Sequence, residues 1–570
     1  MSLEQKSKEL KNLISSYDTE WFLGDLSGLM KNISDDRAKD QLGELSSPLR
    51  QLYYLGGLLI SADPANGNDF QYSPEKWKEI VRLLNEIEKE YELVFSPKED
   101  EHIDEEWQRI RMVAMPSFLS YFNQGPLNYE EQIINWINDL YTPLDEIIQQ
   151  KTGLKTEDFI QFYKKIDALN QSNFQSVSNK GGVPRENWKS YTKLSAGVAE
   201  GVPDFIREMG EKNAPLFTFM SDHGIIQRFL PEELVTNTLS LESVKTILNI
   251  LSCQRVESDF LYYTSTKPGN PLYDKPIIQI RENMFQVFEV KQVIHAIERF
   301  FESICSVGKE SLNKLVTRKG KLLENRIVEL FKVFFNDDFE VYTSFYIDGN
   351  EQDILFLWKK YAFIIEAKGY KLNEPFRDPN RAFVRIKQDF DACIGYGYKQ
   401  AKRVQQQFID QVPLKMEDKN GNVTKEIDTT KYENNYFSII VNLHSFGQIQ
   451  NDLSTLLEIE EDDVFPWAVK LDDLEVLLLT FKAKGKSKLS FVDFLLLREN
   501  LHGKLICSDE LQVGGAFLQG RLSDKDIEQA EVIVLTPDLA NIFDEQYRKG
   551  MGFKDENMLA EKKSGSHIFW

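Results

Sequence analysis

The chain has 570 residues, which is enough for roughly three to four domains. Apolar residues make up 42% of the sequence and aromatic residues 12%, which excludes an intrinsically disordered protein. The net charge of −22 excludes a protein that coats nucleic acid with a broad basic surface.

The N-terminal sequence, MSLEQKSKEL, lacks the apolar segment of a signal peptide, and no apolar run approaches the ~20 residues that span a bilayer. We therefore expect a cytoplasmic protein with no membrane partner. The six histidines form no zinc-binding pattern, and the widely spaced cysteines predict free thiols. The cysteines are Cys253, Cys305, Cys393 and Cys507.

Residues 1–270 are predicted to form a mostly helical accessory or regulatory region, because apolar residues recur at helical spacing. The predicted helices are Leu49–Ala62, Lys76–Leu93, Glu130–Ile148 and Thr156–Leu169. A segment rich in Gly, Ser and Asn, Gln171–Pro184, predicts a loop or a subdomain boundary. The region contains no motif that indicates a chemical activity.

From Pro276 onward, strands alternate with helices. Residues 271–310 are predicted to form a connecting strand, Ile277–Ile280, and a helix, Val290–Val307. Residues 446–570 predict an α/β extension. The fold class that we predict is α+β and multidomain.

Residues 311–445, between these two regions, have the predicted element order αβββαβ. The six elements are Gly320–Phe335, Phe339–Ile347, Gln352–Trp358, Tyr361–Lys368, Arg381–Gln406 and Tyr436–Leu443. The polar segment Glu417–Asn435 is predicted to be a surface insertion with a turn at its DKNGN sequence.

The second and third strands of this unit are separated only by Lys359–Lys360. A two-residue turn there pairs Trp358 with Tyr361 and places Asp353 directly opposite Glu366. The Cβ atoms of opposed residues are about 5 Å apart, so two facing carboxylates destabilise a sheet unless a cation lies between them.

Lys368 follows Glu366 by two residues, and it therefore faces the same side of the strand. The carboxylates of Asp353 and Glu366 and the ammonium of Lys368 would then share one face of the hairpin. A register slip of one residue would separate them. Carboxylates suit Mg²⁺ or Mn²⁺, and a nearby lysine can orient a water and neutralise a phosphate. The alternative interpretation is a half-buried hairpin in which Lys368 only forms an ion pair with Glu366.

Glu324 lies at the margin of the apolar face of the first helix, where a carboxylate needs a partner, so it is a candidate third metal ligand. The helix after the hairpin is basic, which suits a phosphate backbone but also suits a solvated helix face. Its candidate nucleic-acid contacts are Arg381, Arg385, Lys387, Lys399, Lys402 and Arg403. Residues 311–410 contain 17 Lys and Arg against 14 Asp and Glu, so the rest of the chain carries a net −25.

Taken together, this pattern resembles the PD-(D/E)XK nuclease superfamily, which has the restriction-endonuclease-like fold. The match covers about a fifth of the chain, and the Pro of the family motif is Gln352 here. The resemblance implies that Asp353, Glu366, the Ala367 carbonyl and Glu324 bind Mg²⁺ or Mn²⁺. It also implies catalytic roles for Lys368 and for Gln388. Gln400 is a weaker candidate for the helix amide.

We therefore predict a metal-dependent endonuclease that hydrolyses DNA, with anti-phage defence as the suggested biological role by analogy. The alternatives are an RNA-cleaving or junction-resolving enzyme of the same fold, and a non-catalytic scaffold that binds nucleic acid. A homo-oligomer or a regulatory partner is compatible with the sequence. The acidic remainder of the chain also suggests an inactive resting state that a trigger relieves.

Overall fold

The computed structural model describes residues 2–31, 42, 44–67, 69, 73–98, 101–123, 128–177, 223–264, 267–370, 373–460 and 463–556. The fold is mixed α/β, with more helix than strand. The chain divides into two compact units. The first comprises the described residues of 1–93 and 133–312, and the second comprises those of 94–132 and 313–556.

The α-helices are numbered in chain order. They are α1 Leu3–Ser15, α2 Thr19–Lys31, α3 Pro48–Ile60, α4 Pro74–Glu92, α5 Glu105–Asn123, α6 Glu130–Tyr141, α7 Asp145–Thr152, α8 Thr156–Val177, α9 Leu241–Leu251, α10 Pro271–Asp274, α11 Val290–Cys305, α12 Lys309–Phe335, α13 Pro379–Phe390, α14 Tyr396–Ile409, α15 Gln448–Asn451, α16 Leu471–Ala483, α17 Lys488–Glu499, α18 Glu510–Leu518, α19 Asp524–Gln529 and α20 Asn541–Lys549.

The strands are β1 Arg228–Phe229, β2 Ser252–Cys253, β3 Ile277–Arg281, β4 Met284–Val287, β5 Phe339–Ile347, β6 Asn350–Trp358, β7 Tyr361–Lys368, β8 Leu414–Glu417, β9 Val423–Ile427, β10 Tyr436–Asn442, β11 Trp467–Lys470, β12 Leu505–Ile506 and β13 Ile533–Val534. The first unit contains a small four-stranded sheet of order β1-β4-β3-β2, and the rest of its described elements are helical.

Three of the four helices predicted in the N-terminal region are confirmed as α3, α4 and α8. The prediction of one helix over Glu130–Ile148 is wrong, because a 3-10 turn at Thr142–Leu144 separates α6 from α7. Pro143 lies in that turn and has no N–H for a helical hydrogen bond. The loop predicted from Gln171 is wrong as far as Val177, where α8 ends, and residues 178–184 lie outside the described residues.

The second unit is built on a seven-stranded sheet of order β11-β10-β7-β6-β5-β8-β9. β5, β6 and β7 form an antiparallel meander, whereas β10 and β11 run parallel to β7. The predicted order of helix, three strands, helix and strand is observed, with the strand of residues 361–368 at its predicted bounds. The helix predicted from Gly320 begins earlier, at Lys309.

The predicted surface insertion is confirmed as largely exposed, and it also extends the edge of the sheet. Residues before and after the DKNGN sequence form the hairpin β8–β9, which pairs with β5 through Tyr346 and Glu417. The turn itself is confirmed, since the Asp418 N–H donates to the Asn422 carbonyl at 2.9 Å. Short strands of this kind extend an edge even where the sequence is polar.

Helices cover both faces of the central strands. On one face, Phe331 and Phe335 of α12 pack against Phe356 and Phe363. On the other face, apolar residues of α14 pack against the alternate positions of β6 and β7. These buried residues are Leu355, Leu357, Ala362, Ile364, Ala401, Val404 and Phe408.

All four cysteines are free, as predicted. Within the described parts of the chain, no helix combines the length and apolar character needed to cross a bilayer.

Candidate active site

The hairpin of β6 and β7 has the predicted register. Trp358 pairs with Tyr361 across the two-residue turn, and the ladder continues to Ile354 and Ile365. Asp353 and Glu366 lie directly beyond the end of this ladder, and the Asp353 N–H points to the Glu366 Oε1 at 3.4 Å. The tight turn therefore brings two carboxylates together from positions 13 residues apart.

Lys368 lies between these two carboxylates. Its Nζ donates to Asp353 Oδ2 at 3.0 Å and to Glu366 Oε2 at 2.8 Å. Asp353 Oδ2 also accepts from the Ala367 N–H at 2.8 Å. An ammonium has three donors, so one N–H of Lys368 remains for a water or a substrate oxygen. We call Asp353, Glu366 and Lys368 the acid–lysine cluster.

The acid–lysine cluster is on the α14 face of the sheet, because side chains alternate along a strand and its residues continue the rows of Leu355 and Ile364. Burial differs within the cluster: the Glu366 side chain is 1% exposed, whereas that of Asp353 is 16% exposed. One carboxylate is thus enclosed by protein while its partner reaches solvent, where a ligand can approach.

Burial raises the pKa of Glu366 to about 8, because the Lys368 charge, which lowers it, does not fully offset desolvation and the repulsion of Asp353. Burial acts to lower the pKa of Lys368, but the two carboxylates outweigh that effect and hold the pKa above its ordinary value. The lysine is therefore a cation at neutral pH, and Glu366 retains a proton until another positive charge approaches.

Gly397 allows α14 to lie directly over Lys368. A Cβ at this position would be 3.2 Å from Lys368 Cε and 3.0 Å from Ile440 Cγ2. A short π-helical segment, Asp391–Gly395, precedes α14 and separates it from α13. The helix predicted over Arg381–Gln406 is confirmed as one continuous helical run, Pro379–Ile409, whose middle turn is the π-helical segment between α13 and α14.

The substitution Gly397→Ala is expected to destabilise the second unit by about 1–3 kcal/mol, because the added methyl meets two side chains at less than ordinary contact distance. Gly320→Ala is the matched control. Gly320 also lies within a helix, α12, but an added Cβ there has nothing within 4 Å. Thermal unfolding should show Gly320→Ala stabilised by about 0.5–1 kcal/mol through helix propensity. Equal shifts of the same sign for both variants would contradict a tight α14–Lys368 contact.

Glu324 was predicted to be a third metal ligand. Its carboxylate pairs with Lys321 Nζ at 2.9 Å, one turn earlier on α12. That helix packs on the sheet face opposite the acid–lysine cluster. Among the described residues, no group of three or more His, Cys, Asp and Glu side chains is placed to hold a metal, so Glu324 does not complete such a group here. Its role as a ligand stays a prediction.

Two glutamines were candidates for the helix amide. Gln388 is exposed on α13, whereas Gln400 of α14 is buried. The Gln400 Nε2 donates to the Glu351 carbonyl at 3.0 Å, two residues before Asp353. The structure therefore brings Gln400, the weaker candidate, to the strand of the cluster.

The six predicted nucleic-acid contacts fall into two groups. Three are engaged with protein groups: Lys402 donates to Asp463 at 2.8 Å, the Arg385 Nε is 4.0 Å from Asp389, and the Arg381 guanidinium lies 4.4 Å from the centre of the Phe376 ring. The remaining three have no ion pair among the described residues. These are Lys387, Lys399 and Arg403.

Asp389 was not identified from the sequence. It is buried and accepts hydrogen bonds from the Tyr370 hydroxyl at 3.0 Å, the Asn373 N–H at 3.1 Å and the Asn373 side chain at 2.8 Å. These contacts connect Tyr370 and Asn373, which follow Lys368 closely in sequence, to α13. The sequence signal that could have identified Asp389 is that it is the only acidic residue of α13, which is otherwise basic.

The residues of the cluster fit a Mg²⁺ or Mn²⁺ ion in the chemistry of their donors. Two hard carboxylate oxygens on one face, one of them open to solvent, suit an ion that keeps several waters and accepts one or two carboxylates. The Lys368 ammonium already lies at this place, 3.0 Å from an Asp353 oxygen and 2.8 Å from a Glu366 oxygen.

No protein-family model, curated protein or solved structure matches the chain. The sequence pattern and the geometry described above are therefore the basis for a function.

Proposed function

We propose that the protein is a metal-dependent nuclease whose active site is the acid–lysine cluster, on a restriction-endonuclease-like core formed by α12, β5–β7, α13, α14 and β10. The observation that carries the proposal is the position of Lys368, whose Nζ bridges Asp353 and Glu366 at 3.0 and 2.8 Å on one face of a hairpin. The expected substrate is DNA.

Asp353 and Glu366 would hold the divalent ion, with the Ala367 carbonyl as the further ligand that the family resemblance implies. When bound, such an ion supplies a more acidic water and neutralises charge on the phosphate. Lys368 orients the attacking water through its free N–H and stabilises charge on the phosphate oxygens. Because Glu366 is enclosed by protein, its carboxylate is held in one orientation, as a ligand must be.

The side chains of Lys399 and Arg403 would contact the phosphate backbone. They lie on α14, the helix that covers the cluster, and they form no ion pair among the described residues. Lys402 is less suited to this role, because its charge is already compensated by Asp463.

The purified full chain, incubated with Mg²⁺ or Mn²⁺, tests the proposal on single-stranded DNA, double-stranded DNA and RNA. We expect the wild type to cleave at least one of these, and DNA in preference to RNA. Asp353→Asn should abolish cleavage because it removes a ligand charge with almost no change of volume. The proposal fails if the wild type and Asp353→Asn behave alike on every substrate.

A further inference from the structure

We propose that Tyr396 stacks on an unpaired base next to the scissile phosphate, so that the site acts on single-stranded DNA or on single-stranded segments of DNA. The inference rests on the proposed nuclease function and names its substrate class. Two observations support it. One is where the structure exposes aromatic side chains, and the other is the contact between the Tyr396 ring and Lys368.

Only two aromatic side chains are exposed among the described residues, Phe376 at 38% and Tyr396 at 52%. Both follow β7, the strand that ends in Lys368, and both have a cation near the ring. The Arg381 guanidinium is 4.4 Å from the centre of the Phe376 ring, and the Lys368 Nζ is 5.8 Å from the centre of the Tyr396 ring. A chain of 38 Phe, 22 Tyr and 8 Trp thus exposes only two aromatic rings within its described part, and one of them, Tyr396, is next to Lys368 of the cluster.

The position of Tyr396 is fixed by the backbone. It is the first residue of α14, between the π-helical segment and Gly397, whose missing side chain lets the helix lie close to Lys368. The ring is therefore a preorganised surface at the border of the cluster. Stacking on such a surface needs an unpaired base, since the faces of bases in a continuous duplex are covered by their neighbours.

The same face of α14 continues with cations. Lys399 and Arg403 follow Tyr396 by three and seven residues, which places all three on one side of the helix over about 10 Å. An aromatic ring followed by two cations matches the combination of base stacking and phosphate contact that single-stranded nucleic acids require. A face that binds duplex through its phosphates alone would need the cations but not the exposed ring.

The test measures binding and cleavage separately. Binding is measured with the full-length Asp353→Asn protein, to which Tyr396→Leu and Tyr396→Phe are added. The ligands are a single-stranded DNA oligonucleotide carrying 2-aminopurine and the corresponding duplex. We expect tighter binding of the single strand, with a change of 2-aminopurine fluorescence that reports stacking. Tyr396→Leu should weaken single-strand binding by about tenfold or more and remove the fluorescence change, and Tyr396→Phe should retain both.

Cleavage by the chain with Asp353 intact distinguishes the two ways in which the proposal can fail. If this chain cleaves DNA but Tyr396→Leu binds and cleaves single strands as the wild type does, the stacking role is wrong and the nuclease proposal stands. If the wild type neither binds nor cleaves DNA, both proposals are wrong. A wild type that prefers duplex over single strand also overturns the assignment of substrate class.

Discussion

Replacing Lys368 with methionine is expected to lower the rate of DNA cleavage by at least about a hundredfold, the scale of effect seen when one group that acts on the attacking water or the developing charge is removed. Methionine retains the length of the side chain but has no ammonium. The two carboxylates lose the cation that now bridges them at 3.0 and 2.8 Å, so we expect Lys368→Met to bind Mn²⁺ at least as tightly as the wild type.

The combination of retained metal binding and lost cleavage separates a catalytic lysine from a lysine that only neutralises two carboxylates. Lys360→Ala is the matched control, because Lys360 is an exposed lysine in the turn at the other end of the same hairpin. Its cleavage rate should equal that of the wild type. If Lys368→Met cleaves DNA at the wild-type rate with Mg²⁺, the lysine has no catalytic role.

Glu366→Gln is expected to be more stable than the wild type at alkaline pH, by an amount that grows between about pH 5 and pH 8. The Glu366 pKa is about 8 in the folded protein, raised from an ordinary value of 4.5 mainly by burial. The folded state therefore holds a proton that the unfolded state releases in this window. Stability from this group is fully present below the unfolded pKa and is lost as the pH rises through the folded pKa.

Glutamine does not ionise in this pH window. The unfolding free energy of the variant should therefore not show this part of its decline with rising pH. The difference in unfolding free energy across the window should be on the order of 3 kcal/mol, since each pKa unit corresponds to about 1.4 kcal/mol. Thermal unfolding in metal-free buffer over a series of pH values measures it. Glu426→Gln, on the exposed strand β9, serves as a control and should follow the wild type. If the stability of Glu366→Gln and that of the wild type change with pH in parallel, the pKa of Glu366 is not raised in the folded protein.

The sequence was sufficient to predict the hairpin and its cluster. The runs of residues on either side of Lys359–Lys360 are continuously apolar, so few turns other than a two-residue one are compatible with them, and a tight turn fixes every later pair. Asp353, Glu366 and Lys368 therefore followed by counting along two strands.

What could not be predicted depends on how elements pack. The apolar spacing of α12 shows which of its sides is buried but not which face of the sheet it covers, so Glu324 could not be placed relative to the cluster. The π-helical segment at Asp391–Gly395 leaves the helical periodicity on either side intact, and so it has no clear signature in the sequence. The exposure of Tyr396, the residue that follows this segment, could not be predicted from the sequence either.

The most direct test of the central claim is a calorimetric titration of the full chain with Mn²⁺ at neutral pH, repeated in buffers of different ionisation enthalpy. We predict that the wild type binds the ion and releases a proton. Glu366 has a raised pKa and must lose its proton before its carboxylate can bind the ion. Asp353→Asn should lose this binding. Equal titrations for the wild type and Asp353→Asn, with no proton released by either, would contradict a metal site at the acid–lysine cluster.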